Sequence, residues 1–202
     1  MALLVLILSA PTWGTTYYVS AESGDNANSG TSAGDPWKSL TYALTNSASS
    51  DKIVAYDGEY NSTNGELFPL VVLGQHLTGE SSSNTTIESW GTGSGGVVRL
   101  FSNSTLESFT IKSHNAQPTN YIVVVPTATV EGVDVMYNRI FASGLNADNA
   151  VGILFSGAPT GFIFRNIISG CDQGVAINSN STVTVEGNTI AKCRRGCWAS
   201  FS

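Results

Sequence analysis

Apolar residues recur along this chain in brief clusters, each ended by Gly, Asn, Ser or Thr. From Lys52 onward the clusters are Ile53 to Tyr56, Leu70 to Leu73, Val97 to Leu100, Ile122 to Val125 and Ile153 to Phe155. None is long enough for a helix, so each predicts a short strand. Tyr17 to Ser20 predicts another, followed by a Gly/Asn/Ser-rich loop over Glu22 to Asp35. Helical spacing occurs once, where Trp37, Leu40, Tyr42, Ala43 and Leu44 precede Asn46. Asp35 is placed to cap that helix and Pro36 to occupy its first turn. Strands this closely spaced, without crossover helices, exclude a doubly wound sheet and predict an all-β chain.

Near the C-terminus the pattern repeats. A shift of 22 residues places Asn166 on Asn188, Ile168 on Ile190, Cys171 on Cys193 and Gly174 on Gly196. Ile163 falls on Val185 in the same register, and Gly152 on Gly174. A unit of that length with two or three tiny strands is one coil of a parallel β-helix, each coil stacked about 4.8 Å above the last. Asn166 and Asn188 then form a ladder at a corner, where side-chain amides satisfy turn backbone that cannot join a sheet. Earlier coils are expected to match more loosely. Ser108 to Ile111 is set on Gly132 to Val135, and that on Arg165 to Ile168, with a loop insertion across Tyr137 to Ala150.

Composition narrows the partners. Charged residues make up 12% of the chain and the net charge is −6, which disfavours nucleic acid. Apart from Lys192, Arg194 and Arg195, the few basic residues form no stripe. Ala2 to Leu8 is an apolar run followed by Ser9, Ala10, Pro11 and Gly14, which predicts a signal peptide over residues 1–14 and export. The run is too short to span a bilayer. Residues 15–202 then form a single domain. Its last coil ends without a cap, so further coils or self-association through Gly174 to Ile177 and Gly196 to Ala199 are expected.

The segments Thr16 to Ser20, Gly24 to Ser32, Pro36 to Leu44, Asp51 to Val54 and Asp57 to Tyr60 resemble the N-terminal signature of secreted pectin-lyase-like proteins. Gly65 to Leu70 and Leu77 to Glu80 resemble a family of unknown function within that superfamily. The resemblance implies a right-handed parallel β-helix with a short N-terminal capping helix. Its known relatives include polysaccharide lyases and hydrolases, and also surface proteins without demonstrated catalysis.

The leading functional expectation is a secreted or envelope-associated β-helix that contacts carbohydrate without catalysis. A polysaccharide lyase or hydrolase acting on an acidic polysaccharide such as pectin is the alternative, and a structural adhesin repeat the third. A lyase needs a group to neutralise a uronate, usually calcium, and a base for the α proton. Asp134, Asp172 and Arg194 are the candidates for that chemistry, although the repeat stacks Asp172 beside Arg194 as an ordinary ion pair. Asn146, Asp148 and Asn149 are candidates for a sugar or cation site, or are ordinary turn formers. His76 and His114 stand alone in the sequence and read as surface or satisfied residues rather than ligands, and no zinc spacing is present. Trp37, Trp90 and Trp198 are available for sugar stacking, Trp37 being better used over the core. Cys171 and Cys193 fall at one corner of adjacent coils. They form a disulfide that leaves Cys197 odd, or an inward stack of reduced thiols.

Overall fold

The computed structural model describes residues 14–90, 95–114, 120–126, 130–143, 149–157, 159–178 and 181–200. The apolar leader lies outside the described residues, as do Asn146 and Asp148. Short strands wind into three parallel sheets of seven, six and six members, giving a right-handed parallel β-helix. Thr16–Val19 opens the first sheet and pairs with Lys52–Ala55.

Six coils follow, each contributing one strand to each sheet in turn. Coil 1 is Lys52–Ala55, Gly58–Tyr60 and Leu70–Val72; coil 2 is His76–Gly79, Thr85–Trp90 and Val98–Leu100. Coil 3 is Thr105–Glu107, Thr110–His114 and Asn120–Val125; coil 4 is Val133–Met136, Arg139–Ser143 and Ala150–Phe155. Coil 5 is Thr160–Phe164, Ile167–Ser169 and Gln173–Asn178; coil 6 is Thr182–Glu186, Thr189–Ala191 and Arg195–Ser200.

Alternation along each strand sends one set of side chains inward, and the parallel register turns that set into columns. Ile53, Leu77, Leu106, Val135 and Ile163 form one on the first sheet. Tyr60, Ile87, Ile111, Ile140 and Ile168 form another on the second. All ten are fully buried. Burial of such side chains contributes about 1.5–3 kcal/mol each, which fixes the register, because a slip by one residue would turn every column outward.

That register differs from the expected one in the middle of the chain. Thr105 pairs with Asp134 and Thr110 with Arg139, offsets of 29, so Ser108 to Ile111 and Gly132 to Val135 lie on different sheets. On the first sheet Asp134 pairs with Phe162 at an offset of 28 and Phe162 with Thr184 at 22, while the third sheet has the offset of 22 one step earlier, at Val151 with Gln173. The extra length in coil 4 lies between the second and third sheets, where Ile140 to Ile153 spans 13 residues against 7 from Ile168 to Val175. The segment Tyr137 to Ala150 is therefore no simple insertion, since Arg139–Ser143 within it is a strand.

Each turn from the first sheet to the second places one residue in the left-handed region, at Ser108, Tyr137, Arg165 and Gly187 in coils 3 to 6 (φ 64°, 57°, 51° and 66°). The next residue in coils 4 to 6 is an asparagine. Asn138, Asn166 and Asn188 stack there, each amide donating to a first-sheet carbonyl one coil below, of Leu106, Val135 and Ile163 respectively (2.9, 2.8 and 2.7 Å). Each Oδ1 accepts the backbone N–H of the residue beneath it.

The helix is Leu40–Asn46, shorter than expected, with Ser39 as its N-cap and not Asp35. Asp35 instead accepts from the backbone and hydroxyl of Ser29 (3.0 and 2.7 Å), which closes the preceding loop. Leu40, Ala43 and Leu44 are buried against the first coil, and Trp37 stacks on Tyr17 with centroids 4.4 Å apart. Among the described residues no helix is long and apolar enough to cross a membrane.

Candidate functional site

Residues that alternate with the isoleucine column of the second sheet face outward. In coils 2, 3 and 4 they bring together Glu88 and Trp90, Lys112 and His114, and Phe141 and Ser143. Trp90, His114 and Ser143 occupy one register position on three successive coils. The Trp90 indole lies flat against the His114 imidazole, centroids 4.1 Å apart and planes 12° from parallel. His114 Nε2 meets Glu88 Oε1 at 2.6 Å, and His114 Nδ1 meets Ser143 Oγ at 2.6 Å. The imidazole and carboxylate are largely enclosed, with side chains 20% and 15% exposed, whereas Trp90 is 62% exposed. A flat aromatic face is thus held toward solvent over a fixed polar chain.

A second polar feature adjoins this face. Ala21, Glu22, Asp57, Glu59, Asn84 and Thr86 line an open groove of about 730 Å³, and Thr86 is two residues from Glu88 on the same strand. Asp57 is held there by Asn84 Nδ2 (3.0 Å) and Thr85 Oγ1 (2.9 Å). Around the corner, on the outer face of the first sheet, His76 Nε2 meets Glu107 Oε1 at 2.8 Å. That bond holds the Glu107 carboxyl below the usual range, against a smaller upward push from burial.

The residues singled out from sequence are dispersed. Asp134 lies on the first sheet, half-buried, and burial pushes its carboxyl above the ordinary value. Asp172 and Arg194 lie at the corner leading into the third sheet, where the guanidinium Nε donates to Asp172 Oδ1 and holds that carboxyl low. The pair belongs to the 22-residue repeat, and Asp134 does not join it. Asn149 is exposed directly before Ala150–Phe155, while Asn146 and Asp148 lie outside the described residues.

Cys171 and Cys193 stack as the repeat requires, but no disulfide joins them here. Their thiols point instead to carbonyls of their own coils, Ser169 and Ala191 (3.6 and 3.4 Å). Burial, and then the neighbouring Cys193, pushes the Cys171 thiol up to about 12. Among the described residues no group of three or more His, Cys, Asp or Glu side chains is arranged to hold a metal ion.

The histidines are therefore not isolated. A signal for this was available: Thr86-Ile87-Glu88-Ser89-Trp90 and Thr110-Ile111-Lys112-Ser113-His114 share three of five residues and are paired strands.

Residues 22–197 match the family described as a protein of unknown function, DUF1565. The chain belongs to that family. Among curated relatives of this DUF1565 protein is a lacto-N-biosidase from Bifidobacterium longum subsp. longum, 48% identical over 54 residues. The match covers 24% of this chain and spans only 3% of that protein's length. Among solved structures, a rhamnogalacturonan lyase aligns over 92% of this family member and 62% of its own chain, with a TM-score of 0.31 and 13% identity.

Proposed function

We propose that this DUF1565 protein is an exported β-helix that binds carbohydrate on the outer face of its second sheet, with Trp90 as the stacking platform. The observation that carries this reading is the pairing of an exposed indole with a fixed polar chain. Sugar rings offer one weakly polar face and a rim of hydroxyls, and a rigid aromatic plate beside carboxylate, imidazole and hydroxyl groups complements both. Trp90 is braced by the His114 ring stacked against it, so little side-chain freedom remains to be lost on binding. The adjoining Glu22, Asp57 and Glu59 groove adds hydroxyl acceptors along the same edge.

The similarity to part of a lacto-N-biosidase supports a carbohydrate setting, because a related segment occurs within a protein named for action on a glycan. It lends no activity, since the shared part is so small. A lyase reading has less support, because Asp134 is on a different face from Asp172 and Arg194, which already engage each other. The acidity of the groove favours neutral or amino sugars over polyuronates.

Affinity electrophoresis through gels containing soluble glycans, neutral and uronic, tests the reading. We expect retardation by at least one neutral glycan, and Trp90→Ala should weaken it about tenfold or more, the equivalent of about 1.4 kcal/mol. Migration unaffected by every glycan, or equal retardation of Trp90→Ala, overturns it.

A further inference from the structure

The chain of hydrogen bonds through the His114 ring does more than brace Trp90. A carboxylate only accepts, so with Glu88 on Nε2 the His114 proton sits at Nε2, and Nδ1 presents its lone pair. Ser143 Oγ, 2.6 Å from that lone pair, donates its hydroxyl proton to it. Acid, base and hydroxyl are thus arranged in series, the constellation that activates a serine nucleophile. Each member belongs to a different coil and is fixed by paired backbone: Glu88 on Thr85–Trp90, His114 on Thr110–His114 and Ser143 on Arg139–Ser143. None of the three is used by the core columns or by the asparagine ladder.

We propose that Ser143 is the nucleophile of an acyl-transfer site, with His114 as its base and Glu88 as the group that orients and stabilises the imidazole, acting on ester substituents of a carbohydrate. The substrate class rests on the carbohydrate reading; the nucleophile does not. Ser143 Oγ adds to the ester carbonyl while its proton passes to His114 Nδ1, and Glu88 stabilises the imidazolium so formed. The carbon–oxygen bond to the sugar then breaks, and the departing sugar oxygen takes the proton from Nδ1. Water attacks the acyl-serine, giving its proton to His114, and the carboxylic acid leaves as the Ser143 hydroxyl is restored. Lys112, in register with Glu88 and at an outward position of the same sheet, is a cation available to the developing oxyanion. The exposed Trp90 seats the sugar bearing the ester.

A fluorophosphonate probe and p-nitrophenyl acetate read the nucleophile without requiring a known glycan. The intact protein should give a burst of p-nitrophenol close to one equivalent, and peptide mapping should place the phosphonyl adduct on Ser143. Ser143→Ala should abolish both, and Glu88→Gln, which preserves shape, should slow labelling on the order of a hundredfold or more, as for the orienting acid of other triads. A hydrogen-bond chain that only stabilises the sheet would show neither burst nor adduct. Absence of an adduct on the wild-type protein, or one that persists unchanged in Glu88→Gln, overturns the assignment even if glycans bind. An adduct on Ser143 without retardation by any glycan retains the nucleophile and removes the carbohydrate reading.

Discussion

At the scale of single residues, the asparagine ladder shows how this fold accommodates a sharp corner. Asn138 is 1% exposed, its Oδ1 accepts from Phe109 N (3.0 Å), and its amide serves Leu106 O (2.9 Å) and Asn166 Oδ1 (3.2 Å). Asn138→Ala would strand those buried groups, and leaving a buried donor or acceptor unmade costs about 1–3 kcal/mol apiece. We expect a loss of about 2–4 kcal/mol in denaturant unfolding. Asn188→Ala, at a more exposed position, should cost about half as much or less. Equal and small losses at both would remove the ladder from the account. Asn166 and Asn188 were legible in sequence because their coils share the 22-residue period. Asn138 was hidden, because 28 residues separate it from Asn166 and the added length falls between the second and third sheets, outside the core columns. His114 was hidden for a similar reason: its partners Glu88 and Ser143 are 26 and 29 residues away, and only the register unites them.

At the scale of elements, the helix Leu40–Asn46 owes its start to a residue far from it in sequence. Glu66 is 2% exposed and accepts from Leu40 N (2.7 Å), Thr41 N (2.8 Å) and Thr41 Oγ1 (2.6 Å), so it satisfies the first-turn donors that no helical carbonyl can reach. The expectation of Asp35 as cap followed from proximity alone, and local pattern contains no trace of a partner 26 residues on. Burial outweighs these three donors and raises the Glu66 carboxyl above its ordinary value. A carboxyl with a raised folded-state value binds more protons folded than unfolded, so its contribution to stability declines as pH rises from the ordinary carboxylate range toward the folded-state value. Glu66→Ala should lower stability by about 1–3 kcal/mol through the lost caps and abolish that decline. Thermal melts of the two proteins from pH 4 to 8 check both effects. A variant with unchanged stability and an unchanged pH profile would contradict the capping role.

At the scale of the molecule, the architecture was the legible part. Short strands, frequent turn residues and one exact repeat were enough for a parallel β-helix, because a solenoid imposes the same inward pattern on every coil. The proposed binding face was much less legible. Its side chains point outward, where packing imposes no period, and each coil supplies a different residue: Trp90, His114, Ser143. The pair Asp172 and Arg194 was legible because the 22-residue period joins their coils, whereas Glu88, His114 and Ser143 are joined across intervals of 26 and 29 residues that no sequence period announces. The central claim is that the outer face of the second sheet, at coils 2 to 4, receives the glycan. Hydroxyl-radical footprinting with a retarding glycan tests it directly, using Trp198 on the third sheet, 39% exposed, as the internal control. The account predicts strong protection of Trp90 with Trp198 unchanged; protection of Trp198 with Trp90 still fully oxidised would contradict it.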